Sequence, residues 1–267
     1  MLIKTITDKY IERGHNYRNA QNLAAEEIVL NKIASSPLSE HVTLKGGIVM
    51  FNLTKSDRRV TQDIDFDLIR YSIDEQSIRM FVDKLNSVDD DISASITGDV
   101  EKLHQEDYQG VRVHLLLCDK DNNKLRIKLD IGVHTYSAIE QERILFSFES
   151  GKESISMKVN PCEQIFAEKL LSLARLGALS TRYKDLYDLY YLISNNLLDK
   201  NKVIKILNLF FASTSRQPND INGLINSIED TLNNKSFESE AKNPASKWIN
   251  VEYDVVKETI LGFLMQL

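Results

Sequence analysis

Hydrophobic positions along the chain follow two different periods, and the change between them divides the sequence near residue 160. In residues 92–133, apolar and polar residues alternate in three runs, as in strands with one buried face. After Pro161, apolar residues recur every three or four positions, as in amphipathic helices. The pattern predicts an α+β fold, with strands and helices in residues 1–160 and only helices in residues 161–267.

The predicted elements of the first part alternate between the two types. We predict helices over 8–34 and 74–86, and a short helix over 48–53 that follows a turn at Lys45-Gly46-Gly47. A polar turn at 119–123 joins two apolar runs, which indicates a hairpin. The predicted strands are 42–44, 63–69, 92–102, 111–117 and 125–133, with one or two more within 143–159. The predicted helices of the second part are 162–178, 183–197, 200–212, 219–233 and 246–266.

Composition limits the classes of function. The chain has 267 residues, a formal net charge of −6 and a sequence pI near 5.5. An acidic average argues against broad binding of duplex nucleic acid, but it leaves room for one local basic patch. No apolar run is long enough for a signal peptide or a membrane span, so we expect a cytoplasmic protein without a membrane partner. Cys118 and Cys162 lack metal-ligand spacing, and we expect both to be free thiols.

The first candidate for chemistry is a pair of aspartates. Asp63 and Asp65 are two apart in a predicted strand, so their side chains point the same way while Ile64 and Phe66 point into the core. Adjacent carboxylates repel, and a hard cation such as Mg²⁺ relieves that repulsion. Asp67 continues the row, either as a third member or as a solvated residue. An exposed strand end is the alternative interpretation of the pair.

A glycine pair precedes the aspartates in an order that favours phosphate binding. Gly46 and Gly47 follow a short strand and open a helix, where backbone N–H groups attract anions and glycine permits close approach. The next strand then carries the aspartates, so a phosphate site and a metal site are expected side by side. Arg59 and Thr61 lie just before that strand. Arg59 either neutralises a transferring phosphate or is a surface residue paired with Asp57.

Two further clusters carry charged residues with the spacing of a shared face. In the strand 125–131, Lys128 and Asp130 face the same side, where Lys128 can meet a phosphate and Asp130 can bind metal or accept a proton. An ordinary solvated strand face is the alternative. Near residue 185, Asp185 and Asp188 are neighbours on a helix, and Lys184 can pair with Asp188. Lys169 borders an apolar stripe and either extends to solvent or binds phosphate.

Together these segments resemble the AbiEii-type toxin family of nucleotidyltransferases, which belongs to a larger group that resembles DNA polymerase beta. The resemblance runs from about Leu44 to Leu192. Where many members of the wider group have serine, this chain has Gly47. The matching segments are Leu44-Lys-Gly-Gly-Ile48 with Arg59-Val-Thr-Gln-Asp-Ile-Asp-Phe66, then Ile127-Lys-Leu-Asp130, Phe166-Ala-Glu-Lys-Leu170 and Arg182-Tyr-Lys-Asp-Leu-Tyr-Asp-Leu189.

The resemblance implies a nucleotidyltransferase-type sheet with a helical C-terminal domain that contributes to the active site. It implies that Asp63 and Asp65 bind metal and that Lys169 and Asp185 are essential, beside or instead of Lys128 and Asp130. It also implies Mg²⁺ and an NTP as cofactor and substrate, an acceptor such as the 3′ end of tRNA, and an antitoxin or a role in phage defence (abortive infection). Transfer to a protein or a small molecule, and a catalytically silent binding module, remain open, as do the choice of NTP and the oligomeric state.

Overall fold

A computed structural model describes residues 2–61, 63–105, 108–148, 150–151 and 153–267. Gln62, within the first motif, and positions 149 and 152, within the predicted strand region 143–159, lie outside the described residues. The chain divides into two compact units, Met1–Asn160 and Pro161–Leu267.

The first unit is built on a mixed sheet, which confirms the predicted α+β class. Its strand order is β3-β5-β6-β2-β1-β8-β7, and β4 pairs with β5. The pairs β2–β6 and β1–β8 are parallel, whereas β1–β2, β5–β6 and β7–β8 are antiparallel. The strands are β1 Val42–Leu44, β2 Asp63–Leu68, β3 Ile92–Ile96, β4 Glu101–Gln105, β5 Tyr108–Asp119, β6 Lys124–Val133, β7 Glu142–Phe146 and β8 Ile155–Val159.

Two of the elements predicted in this unit are divided. The helix predicted over 8–34 is wrong, because the chain forms α1 Ile3–Glu12 and α2 Tyr17–Ala34 with a break between them. Gly14 adopts a φ of +100° in the break, and the Asn16 side chain accepts a hydrogen bond from the Asn19 N–H to begin α2. The strand predicted over 92–102 is likewise interrupted, at Gly98 with a φ of +77°.

The remaining helices of the first unit follow the prediction closely. They are α3 Gly46–Thr54 and α4 Glu75–Asn86. The helix α2 packs against β6, and α4 packs against β3. Ile64, Phe66 and Leu129 are fully buried on one face of the sheet, so the alternate residues of β2 and β6 lie on the opposite, polar face.

The second unit is helical, as predicted. Its helices are α5 Cys162–Leu176, α6 Tyr183–Ser194, α7 Lys200–Ser213, α8 Ile221–Leu232, α9 Lys235–Ala241 and α10 Tyr253–Leu264. The helix α5 packs against α6, α7 and α8. The helix predicted over 246–266 begins only at Tyr253, and the short α9 was not predicted. Both cysteines are free thiols. Within the part of the chain that the structure describes, no helix is both long and apolar enough to cross a bilayer.

Candidate active site

Gly46 brings the start of α3 against the carboxylate of Asp65. The Lys45 N–H donates a hydrogen bond of 2.9 Å to the Asp65 carbonyl, which fixes the end of β1 beside β2. Gly46 has a φ of +63°, and a Cβ atom at this position would lie 2.7 Å from Asp65 Oδ2. Both the left-handed backbone and the close approach exclude any other residue without local rearrangement. The predicted proximity of the glycine pair and the aspartates is therefore present in the structure.

Gly47 makes a second close approach, to Thr61 and Arg59. A Cβ atom on Gly47 would lie 3.0 Å from Thr61 Oγ1 and 3.3 Å from an Arg59 guanidinium nitrogen. The Thr61 hydroxyl donates a hydrogen bond of 3.2 Å to the Asp63 carbonyl. Arg59 is buried, which is inconsistent with the alternative interpretation of a surface arginine. A side chain larger than hydrogen at position 47 would therefore press against Thr61 and Arg59.

Parallel pairing of β2 with β6 aligns the first two candidate clusters. Asp63 is the register partner of Lys128, and Asp65 is the register partner of Asp130. Lys128 Nζ lies 2.7 Å from Asp63 Oδ1, and both side chains are about one-third exposed or less. The structure therefore brings Asp63, Asp65, Lys128 and Asp130 onto one face of the sheet.

Arg112 on β5 is a member of this cluster that the sequence did not reveal. It faces Asp130 across the β5–β6 pair and donates two hydrogen bonds of 2.8 Å to it, one to each carboxylate oxygen. The hydrogen bonds and the charge of Asp130 raise the pKa of Arg112. Arg112 stands at an outward position of an alternating strand, but only the strand register identifies its partner.

The carboxylates at the site fit a metal ion whose coordination is completed by the substrate. Among the described residues, no group of three or more His, Cys, Asp or Glu side chains is arranged to hold a metal. Asp67 is buried and paired with Lys45 at 2.7 Å, so it is not solvated, and its charge is already balanced. Asp63 and Asp65 remain, and Mg²⁺ is commonly held by one or two carboxylates together with substrate phosphates.

Glu26 is a second residue that the sequence did not reveal. It lies on α2, is 4% exposed, and its Oε1 atom has no hydrogen-bond partner among the described residues. Burial raises the pKa of this carboxyl, and the negative charge of Asp63 raises it further. Glu26 therefore lies within the electrostatic influence of the aspartate pair. The buried polar position within the apolar pattern of α2 was the available signal.

In the second unit, Lys169 joins two carboxylates. Lys169 Nζ contacts Asp185 and lies 2.9 Å from Asp188 Oδ2. Asp188 is fully buried and Lys169 is nearly so, which contradicts the interpretation that Lys169 extends to solvent. The third and fourth sequence motifs thus meet in one ion-paired cluster, on α5 and α6.

Known proteins provide an independent comparison. No curated protein matches the chain. Among solved structures, the chain is similar to an antigenic nucleotidyltransferase-like protein from Paracoccidioides brasiliensis, with 16% sequence identity and a TM-score of 0.43; the match covers 76% of this chain and 92% of that one. A family model described as nucleotidyl transferase AbiEii toxin, type IV toxin–antitoxin system, matches residues 28–261, and the chain therefore belongs to this family of nucleotidyltransferase toxins.

Proposed function

We propose that the protein transfers an NMP group from an NTP to a hydroxyl of an RNA acceptor, most specifically the 3′ end of a tRNA, with release of pyrophosphate. The family supports a transferase that uses an NTP and a divalent metal, and it implies an antitoxin partner. The observation that carries the proposal is the contact between Gly46 and Asp65. It sets a carboxylate beside the N-terminus of α3, where backbone N–H groups favour phosphate.

The residues around the glycine pair have the chemistry to hold a triphosphate. The N–H groups of Gly46 and Gly47 donate to phosphate oxygens. Arg59 offsets negative charge on the transferring group, and the Thr61 hydroxyl supplies a further donor when it turns away from the Asp63 carbonyl. Lys128 exchanges its contact with Asp63 for one with a phosphate when the substrate binds.

Asp63 and Asp65 are the proposed ligands of Mg²⁺, which when bound neutralises phosphate charge and steadies the attacking and leaving oxygens. Asp130 is the third proposed ligand or the group that accepts the proton of the acceptor hydroxyl. In either role Asp130 must give up hydrogen bonds that it accepts from the Arg112 guanidinium. Asp185 is the alternative proton acceptor, and Lys169 offsets charge. Positioning and charge stabilisation supply most of the rate in transfers of this kind.

Incubation with labelled NTPs and total RNA tests the proposal. We expect native protein with Mg²⁺ to label RNA, and Asp65→Asn to lower labelling by at least about 100-fold, because a charge-stabilising group is lost. Asp99→Asn removes the same charge at an exposed position and serves as the matched control, with unchanged labelling expected. Equal labelling by Asp65→Asn and native protein would show that the metal assignment is wrong.

The choice of acceptor is tested by parallel reactions with a defined tRNA, a protein extract and an aminoglycoside. Label in the tRNA alone supports the proposal, whereas label only in a protein or in the aminoglycoside contradicts the RNA acceptor while retaining the nucleotidyl transfer. Absence of labelling, together with undetectable binding of Mg²⁺-NTP by calorimetry, would instead indicate a binding module without catalysis.

A further inference from the structure

The polar face of the β3–β5–β6 region carries a row of cations within an acidic protein. The strand β6 presents Lys124, Arg126 and Lys128 on the face opposite to buried Leu125 and Ile127. The chain as a whole has a net charge of −6. A row of three cations on one strand face is therefore a local departure from the average charge.

Two carboxylates of neighbouring strands reach one end of this row: Asp63 of β2 pairs with Lys128, and Glu101 of β4 lies 3.7 Å from His114. Across the β5–β6 pair, the register partners of Lys124, Arg126 and Lys128 are Cys118, Leu116 and His114. Ser93 and Ser95 of β3 lie beside Cys118 and Leu116. No carboxylate occurs among these outward positions. We name the surface formed by the outward residues of β3, of β5 from 114 to 118 and of β6 from 124 to 128 the basic wing.

The two cations farthest from the aspartates are available to a ligand. The side chains of Lys124 and Arg126 are both exposed, and neither makes a hydrogen bond or ion pair with any described residue. Lys128 contacts Asp63, so the row ends at the candidate metal site. Residues two apart on a strand are separated by about 6.6 Å, so Lys124 and Arg126 offer one cation to each of about two neighbouring phosphates.

The side chains of the basic wing are suited to bind the phosphate backbone of a nucleic acid and not to stack on its bases. Proteins that hold single strands commonly stack bases on aromatic side chains. The outward residues of the basic wing are Ser, His, Leu, Cys, Lys and Arg, without Phe, Tyr or Trp. Beyond Lys124, the wing ends near a turn that carries Asp119 and Asp121. The acidic turn limits the favourable stretch to a few nucleotides.

We propose that Lys124 and Arg126 bind backbone phosphates near the single-stranded 3′ end of the acceptor RNA and direct that end toward Asp63 and Asp65. The proposal rests on the proposed RNA acceptor and adds where the RNA lies and what is recognised. Contacts with phosphates position a nucleic acid without reading its sequence. Selection of a particular RNA then depends on parts of the protein other than the basic wing.

The test measures binding separately from catalysis. The full-length protein is titrated with a fluorescent, unstructured oligoribonucleotide in EDTA, without NTP, between about 50 and 200 mM KCl. Each phosphate contact with a single strand contributes about 0.7 to the slope of log K against log salt. The double variant Lys124→Gln/Arg126→Gln should therefore have a slope smaller by about 1.4, and at about 0.1 M KCl this corresponds to about 25-fold weaker binding if the curves meet at about 1 M.

A matched control lies toward the opposite edge of the same sheet. Arg143 and Lys158 are cross-strand partners on β7 and β8, and both pair with Glu40. The double variant Arg143→Gln/Lys158→Gln changes the net charge equally, and we expect its salt slope to equal that of the native protein. Equal losses in both double variants would overturn the proposal, because binding would then depend on total charge.

Two further results distinguish this inference from the proposed function. Oligo-U and oligo-C should bind within about threefold of each other, since base identity is not read; a strong base preference would overturn the inference. A reduced salt slope in Lys124→Gln/Arg126→Gln without any label transfer to RNA would support the basic wing while contradicting the proposed reaction. Label transfer to RNA together with an unchanged salt slope in this double variant would support the proposed reaction and contradict the basic wing.

Discussion

The two units each contain a pair of aspartates with a lysine, but in very different surroundings. In the first unit, Asp63 and Lys128 have side chains that are 31% and 27% exposed. In the second unit, Asp188 is completely buried and the side chain of Lys169 is 9% exposed. Water screens the first pair, so its lysine can be exchanged for another cation at small cost. Removal of the lysine from the second cluster takes a cation away from a fully buried carboxylate.

This difference indicates how similar groups serve different purposes. A site that binds and releases a charged substrate requires exchangeable partners, which the pair on β2 and β6 provides. In the second cluster, Lys169 links α5 to two carboxylates of α6, so we expect its removal to affect the packing of these helices as well as any catalytic role of Lys169 and Asp185. The comparison predicts a graded series of effects on stability.

The largest effect is expected for Lys169→Met. Loss of the cation removes the partner of the fully buried Asp188 and of the partly exposed Asp185, so we expect the free energy of unfolding to fall by about 3–5 kcal/mol. Unfolding in urea, monitored by circular dichroism, measures this change in the free energy of unfolding. The double variant Lys169→Met/Asp188→Asn should recover part of the loss, and its labelling activity then reports the catalytic role separately from folding. A loss below about 1 kcal/mol would contradict the comparison.

Gly46→Ala is expected to have the next largest effect. Alanine in a left-handed conformation costs about 1–2 kcal/mol, and its Cβ atom would also displace the Asp65 carboxylate. We expect the free energy of unfolding to fall by about 2–3 kcal/mol in total, and the labelling of RNA from labelled NTP to be lost. Gly98→Ala is the matched control, because Gly98 also has a positive φ but a Cβ atom added there would have no atom within 4 Å. Equal losses in the two variants would show that contact with Asp65 adds nothing.

Glu26→Gln is expected to stabilise the protein in a pH-dependent way. The folded-state pKa of Glu26 is raised above its ordinary value of 4.5, so the folded protein favours the neutral carboxyl while the unfolded chain ionises normally. The contribution of Glu26 to stability is present below about pH 4.5 and is lost as pH rises through the folded-state pKa. Glutamine does not ionise, so the variant should gain about 1–2 kcal/mol over the native protein at about pH 8 and little near pH 4.

Chemical unfolding of both proteins at a series of pH values measures this difference. The same series on Glu12→Gln, at an exposed position of α1, controls for the general effect of removing one acid. An advantage of Glu26→Gln that is independent of pH would contradict the assignment of a raised pKa.

The smallest effect on stability is expected for Lys128→Met. The pair with Asp63 is partly exposed, so its loss should change the free energy of unfolding by less than about 1 kcal/mol. Calorimetric titration with Mg²⁺ should nevertheless show tighter binding in the variant, because the ammonium group no longer competes for Asp63. Weaker Mg²⁺ binding in Lys128→Met would contradict this competition.

The sequence was sufficient for the elements whose patterns are local. Alternation predicted β6 and β2, and the glycine pair predicted the start of α3, because each depends on near neighbours. The break between α1 and α2 was missed although Gly14 and Asn16 are its local signals. The short α9 was missed because seven residues, capped by Asn234, give too few turns for a clear period.

The partners within the site depended on distant pairing. That Asp63 lies beside Lys128, and Asp130 opposite Arg112, follows from the register of strands far apart in sequence. Periodicity shows which face a side chain occupies but not which neighbour it meets. Glu26 was missed although it lies between Leu23 and Leu30 on the apolar face of α2; its proximity to Asp63 depends on how α2 packs on the sheet.

The register of β2 against β6 has a consequence for altered forms of this toxin. A slip of one residue would turn both aspartates into the interior and expel Ile64 and Phe66, which are fully buried. The buried apolar side chains therefore fix the alignment of β2 with β6, whereas an outward aspartate can be substituted without changing that alignment. We expect a copy silenced at Asp65 to remain folded and to occupy the acceptor without modifying it, so that it acts as a competitor of active copies. Mixing silenced and active protein at limiting acceptor measures this; an undiminished rate of labelling would refute it.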